Sequence, residues 1–265
     1  MTQGPDRPQL VVPPARTDPI RVVPLHSIDE LATPVHGAGP APNPQLSYRG
    51  GPLMTAVEIF PVFWGSQWTT APLNQLAGEL NQFFDFIVTS ALVDQLAEYS
   101  VPGKSIGHGK RVGSADITDP LHTSVSDSAI QHVLQHHITT DRAFPAAGPN
   151  TLYFLYLPPG VAAVQGGSRS CQAFCGYHSD IAGQIFYAVM PYPGCQGCTG
   201  SLGLLQALTS TSSHELAEAI TDPIPGQGWY DDANGEIGDI CAWKTKTLGG
   251  YTIQLEWSNR ANACI

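Results

Sequence analysis

The chain has 265 residues, 42% hydrophobic and only 13% charged, with a formal net charge of −10. That length suits one substantial domain, or a domain with a tail. An acidic balance without a basic cluster argues against a nucleic-acid partner, and no apolar run reaches the length of a membrane span.

Residues 1–46 are rich in Pro and Ala and carry no sustained helix or strand period, which predicts a flexible leader ahead of a domain over 47–265. The amino terminus, Met-Thr-Gln-Gly-Pro-Asp-Arg-Pro, shows no charged segment followed by an apolar core, so no signal peptide is visible. Val57–Trp64 predicts a buried strand, with Pro61 marking an edge or a bulge. Over residues 71–99, Leu73, Leu76, Leu80, Phe83, Phe84 and Ile87 recur at three and four, the spacing of a helix, with a second short helix over Leu92–Tyr99. Ser105–Ile117 has glycine-punctuated strand character.

Residues 126–137 predict a helix capped by Ser126 or Asp127. His132 and His136 stand four apart on it, but no acid lies beside the first, and they read as helix surface. Thr151–Leu157 and Gly183–Met190 predict strands, each closed by proline. Thr252–Trp257 predicts the last strand. Strand, helices, strands and a late helix together predict one α+β domain with a mixed sheet.

That late helix holds the strongest chemical signal, Ser-His-Glu-Leu-Ala-Glu-Ala-Ile-Thr-Asp at 213–222. His214 and Glu218 are four apart, so a helix puts them on one face about 6 Å along the axis. The pattern is the HExxH zinc-peptidase arrangement with glutamate in place of the second histidine. In such a site two helical side chains hold the metal, and the adjacent glutamate, here Glu215, takes a proton from metal-bound water. Asp222-Pro223 then stops the helix.

A further ligand is expected from the acidic segment Gly228–Cys241. After the turn residues Pro223, Pro225, Gly226 and Gly228, the chain folds back, and Glu236 is the third ligand in this reading. Asp239 supports it or ligates directly. Asp222 is an alternative ligand only if the helix breaks before it, since a continuing helix sets it about 12 Å from His214. Tyr230 or His178 would stabilise the oxyanion, or else serve as a structural tyrosine and a core histidine. Asp232, Asn234 and Glu236 also alternate like part of a calcium loop around Gly235, so calcium stands beside zinc as the ion.

Six cysteines, Cys171, Cys175, Cys195, Cys198, Cys241 and Cys264, with few lysines predict a disulfide-bearing, secreted or extracytoplasmic protein. Cys264 is expected to pin the carboxyl terminus to Cys241. The first four remain open between disulfides and a structural zinc site.

Tyr48-Arg-Gly-Gly-Pro-Leu-Met-Thr, the Trp64-Gly65 strand end, Phe174-Cys-Gly-Tyr-His178 and Cys195-Gln-Gly-Cys198 resemble blocks of the phosphate-induced, exordium-like proteins. The likeness runs from about Tyr48 to the carboxyl terminus, in a microbial branch that carries the HExxE helix. It implies an extracellular, disulfide-containing protein and supplies no settled activity. On the residues themselves, the expectation is a zinc-dependent hydrolase with a zincin-like active helix, most directly a peptidase acting on protein or peptide. Gln184–Met190 would line its cleft and pair with an extended substrate. The alternative is a non-catalytic secreted binding or structural module stabilised by calcium.

Overall fold

The computed structural model describes residues 22–26 and 43–265. Its main sheet uses β1 (Val22–Pro24), β2 (Ala56–Trp64), β3 (Gly107–Arg111), β4 (Ala115–Ile117), β5 (Thr151–Tyr156), β6 (Phe174–Ile181) and β7 (Ile185–Met190). Their order is β1-β6-β7-β5-β2-β3, with β4 pairing the far end of β2. The pairings of β7 with β5, β5 with β2, and β2 with β3 and β4 are parallel, while β6 runs antiparallel to both β7 and β1. The fold is thus α+β with a mixed sheet, as the order of elements predicts.

Strand β2 lies inside the sheet, so Pro61 does not mark an edge. Its partner on one side is β3 as far as Ile59 and β4 from Val62. The Ile59 carbonyl accepts from Val112 N–H on that side, and two residues on Pro61 faces the same way. The missing N–H therefore falls in the gap between β3 and β4.

Helix α1 (Leu73–Ile87) buries Leu73, Leu76, Leu80, Phe83, Phe84 and Ile87, the stripe read from the sequence. Helix α2 (Ala91–Leu96) follows, capped by Ser90 Oγ accepting from Leu92 N–H at 3.2 Å. Helix α3 (Asp127–Thr140) is capped by Ser126 Oγ, which accepts from Ala129 N–H at 3.2 Å. His132 and His136 are exposed on it, as expected for surface histidines.

Helix α4 (Leu204–Thr221) is the centre of the molecule: every residue from Ala207 to Thr221 is buried. A helix buried all round is usually apolar, yet five consecutive hydroxyl residues, Thr209–Ser213, sit in its middle. Small side chains let neighbouring backbones approach, and three of the hydroxyls find partners across the gap. Thr209 Oγ1 donates to the Thr252 carbonyl (2.7 Å), Ser212 Oγ meets Tyr156 OH (2.7 Å), and Ser213 Oγ accepts from Gln254 N–H (2.9 Å). These bonds fix α4 between the sheet and a hairpin of β8 (Thr245–Leu248) and β9 (Tyr251–Gln254). The strand expected over Thr252–Trp257 therefore ends at Gln254, and Trp257–Ser258 pairs instead with Ala263–Cys264.

Two expectations are overturned by the topology. Gln184–Met190 cannot line a cleft as an open edge, because β7 is bonded to β6 on one side and β5 on the other. Part of the stretch expected as a flexible leader is built into the fold: Val22–Pro24 covers the edge of β6, and the His26 ring stacks 3.7 Å from that of Trp243. The rest of the expected leader, 1–21 and 27–42, lies outside the described residues.

All six cysteines are bridged, as Cys171–Cys195, Cys175–Cys198 and Cys241–Cys264. The last is the expected pair. The other two rule out a structural zinc site on the first four cysteines, since a disulfide sulfur is no thiolate ligand. Among the described residues no helix is long and apolar enough to cross a membrane.

A candidate metal centre beneath the sheet

Helix geometry brings His214 and Glu218 together as the spacing predicts, with His214 Nε2 2.9 Å from Glu218 Oε1. The side chain that meets them from the sheet is His178. It lies on β6 two residues after Gly176, so both point toward α4. His178 Nδ1 is 3.1 Å from Glu215 Oε2 and 3.4 Å from Glu218 Oε2, and Glu236 Oε1 approaches Nε2 at 3.5 Å. The helix can come this close because Gly176 lacks a side chain: a Cβ there would sit 2.7 Å from Thr211 Cγ2 and 3.2 Å from Glu215 Oε1. Gly238 does the same from the other side, where a Cβ would lie 2.8 Å from His214 Nδ1 and 2.9 Å from Glu218 Oε1.

The cluster is closed to solvent, with His214, Glu215, Glu218, Asp222, Glu236 and Glu256 at 0% exposure and His178 at 1%. Burying carboxylates is costly unless each is paired. Here Glu215 Oε1, Glu236 Oε2 and both oxygens of Glu256 have no hydrogen-bond partner, while Glu218 Oε2, Glu236 Oε1 and His214 Nε2 have only ion-pair contacts at 3.4, 3.5 and 2.9 Å. Such orphaned atoms facing one another are what a bound cation satisfies.

Burial lowers the His178 pKa, but the carboxylates of Glu236, Glu215 and Glu218 outweigh it and hold the value well above normal. His214 behaves alike through Glu218. Burial raises Glu218 too, yet the two imidazoles win and bring it down to about 2. Glu215, Glu236 and Glu256 are pushed up, by burial first.

The two imidazoles differ in what holds their outer nitrogens. His178 Nε2 donates to the Asp222 carbonyl at 3.2 Å, which leaves Nδ1 facing Glu215 and Glu218. His214 Nδ1 lies 2.8 Å from Gln254 Nε2, and that same amide nitrogen donates to the Gly238 carbonyl at 2.9 Å. Gln254 Oε1 accepts from Trp243 N–H. The Gln254 amide nitrogen thus faces His214 Nδ1, while Glu218 faces Nε2.

The remaining expected residues divide. Asp239 joins His214 and Glu218 in one group of ligand atoms within 4.8 Å of one another, and His178, Glu215 and Glu218 form a second such group. Asp239 N–H also donates to Glu218 Oε1 (3.2 Å), and Asp239 Oδ2 accepts from Glu236 N–H (3.0 Å). Glu236 reaches the cluster at the Nε2 side of His178. The Asp222 carboxylate is occupied by the amides of Gly226, Gln227 and Gly228 and closes the loop after α4. Tyr230 packs away from the cluster, under the Arg49 guanidinium at 4.5 Å. Asp232 pairs with Arg49, Asn234 bonds Asp231, and only Glu236 points inward, so the three do not converge as a calcium loop.

Sequence reasoning gave His178 only an oxyanion or core role, and it passed over Gln254 and Glu256. A signal for His178 was available: Gly176 and His178 alternate on a strand that must be buried. Glu256 lies inside the strand expected over Thr252–Trp257 and carried none. The chain matches no protein family, no curated protein and no solved structure to which it was compared.

Proposed function

We propose that the chain is a secreted, metal-dependent hydrolase whose ion, zinc by preference, sits between α4 and β6 and whose substrate is a protein or peptide. The observation that carries this is the surplus of buried, unpartnered carboxylate oxygens around two imidazoles. Stability alone favours apolar replacements at such positions, and clusters kept despite that cost are functional-site candidates. The donor set fits zinc: two imidazole nitrogens with carboxylates suit it better than calcium, which prefers oxygen alone. His178, His214 and Glu218 are the core of the ligand set. Bound there, zinc supplies an acidified water and a polarised carbonyl. Glu215, with Oε1 unpartnered, is the carboxylate assigned to move the proton. Three disulfides support an oxidising compartment.

A second reading, a non-catalytic module held together by its ion, is favoured by the closure of the cluster and by β1 covering the β6 edge. The experiment that decides is hydrolysis of a quenched fluorescent peptide library by full-length protein, with and without chelator, beside Glu215→Gln. The hydrolase reading expects zinc-dependent cleavage that disappears in Glu215→Gln. Chelation that lowers only the melting temperature, with no cleavage in any sample, replaces it with the second reading.

A further inference from the structure

The two groups of ligand atoms share one residue, Glu218, whose two oxygens lie against different imidazoles. Glu218 Oε1 lies 2.9 Å from His214 Nε2 on one side, and Glu218 Oε2 lies 3.4 Å from His178 Nδ1 on the other. Resting on the metal-centre reading above, we propose that the centre takes two divalent transition-metal ions bridged by the Glu218 carboxylate. One ion lies among His178, Glu215 and Glu218, the other among His214, Glu218 and Asp239.

Charge balance points the same way. The two groups bring together the carboxylates of Glu215, Glu218 and Asp239, and Glu236 lies against His178 Nε2. One dication leaves about two of these four negative charges unbalanced, whereas two dications balance them. Atoms without a hydrogen bond occur on both sides: Glu215 Oε1 and Glu218 Oε2 belong to residues of the first group, and His214 Nε2 to a residue of the second. In this arrangement Glu215 is a ligand of the first ion, and a pair of ions acting on one water lessens the need for a separate base.

The test is zinc titration of chelator-stripped, full-length protein purified without a metal-binding tag, with bound zinc counted by elemental mass spectrometry after gel filtration. The expected result is two zinc ions per chain, falling to one in His214→Ala and in Asp239→Asn. One ion per chain at saturation overturns the bridged pair while leaving the single-ion hydrolase reading intact, and no ion overturns both. Because a buried variant can fail to fold, the wild type is also loaded with manganese and read by electron paramagnetic resonance. A spin-coupled spectrum supports the pair, and an isolated-ion spectrum at full loading refutes it.

Discussion

Replacing Glu218 by Gln tests the electrostatics of the cluster without opening a cavity, since the two side chains are nearly isosteric. In the metal-free protein Glu218 sits between two imidazoles, which bring its pKa from 4.5 to about 2. A depression of that size corresponds to about 3 kcal/mol of stability at about 1.4 kcal/mol per pH unit. The group is fully buried, so solvent does not screen the effect. A carboxylate with a depressed folded value contributes stability that is complete above its unfolded pKa, near 4.5, and is lost as pH falls through about 2. Urea unfolding of chelator-treated wild type and Glu218→Gln, disulfides intact, measures this directly. The variant is expected to be about 3 kcal/mol less stable at pH 7, with the gap closing as pH falls from about 4.5 toward 2. Adding zinc is expected to widen the gap at pH 7, because only the wild type keeps the shared ligand. Equal stabilities at pH 7, or a gap that does not change toward low pH, would refute the placement of Glu218 between two charged imidazoles.

Glu256 provides the opposite sign. Burial raises its folded pKa well above normal, so the folded state holds the proton more tightly and stability falls as pH rises above the unfolded value. Glu256→Gln is expected to stabilise metal-free protein by an amount that grows from pH 4.5 to 7.5, read as melting temperature against pH; a flat difference sinks that assignment. Zinc at about 100-fold above its dissociation constant is expected to add about 2.7 kcal/mol, or about 5–10 °C in melting temperature for a chain of this size; calorimetry with and without zinc checks it. Gly238→Ala is expected to abolish zinc uptake, because its Cβ would press on His214 Nδ1 and Glu218 Oε1 at 2.8 and 2.9 Å. Circular dichroism and a zinc count on the same sample separate that steric effect from general misfolding.

The elements set by local pattern were readable from the chain. The stripe of α1, the Ser126 cap of α3 and the His214/Glu218 face of α4 follow from spacing alone, and Cys264 pairs with Cys241 as its position suggests. What was not readable depends on which strands become neighbours. Pro61 marked an edge by propensity, yet the sheet accommodates it where β3 gives way to β4. Gln184–Met190 promised an open edge and is interior, because β6 turns back along it and Val22–Pro24 closes the outside. His178 comes to Glu215 across 37 positions of sequence, a proximity no helical or strand period encodes. Asp222 looked like a ligand by charge, but Gly226, Gln227 and Gly228 claim it once the chain reverses after α4.

The central claim is that α4 and β6 hold a transition-metal ion at His178, His214 and Glu218. Crystals of protein loaded with stoichiometric zinc, with diffraction collected above and below the zinc absorption edge, test it most directly. The claim predicts an anomalous peak within coordination distance of Glu218 and at least one of the two imidazoles, present only above the edge. A well-ordered cluster with no peak there, or zinc held only at surface histidines such as His132 and His136, would contradict it.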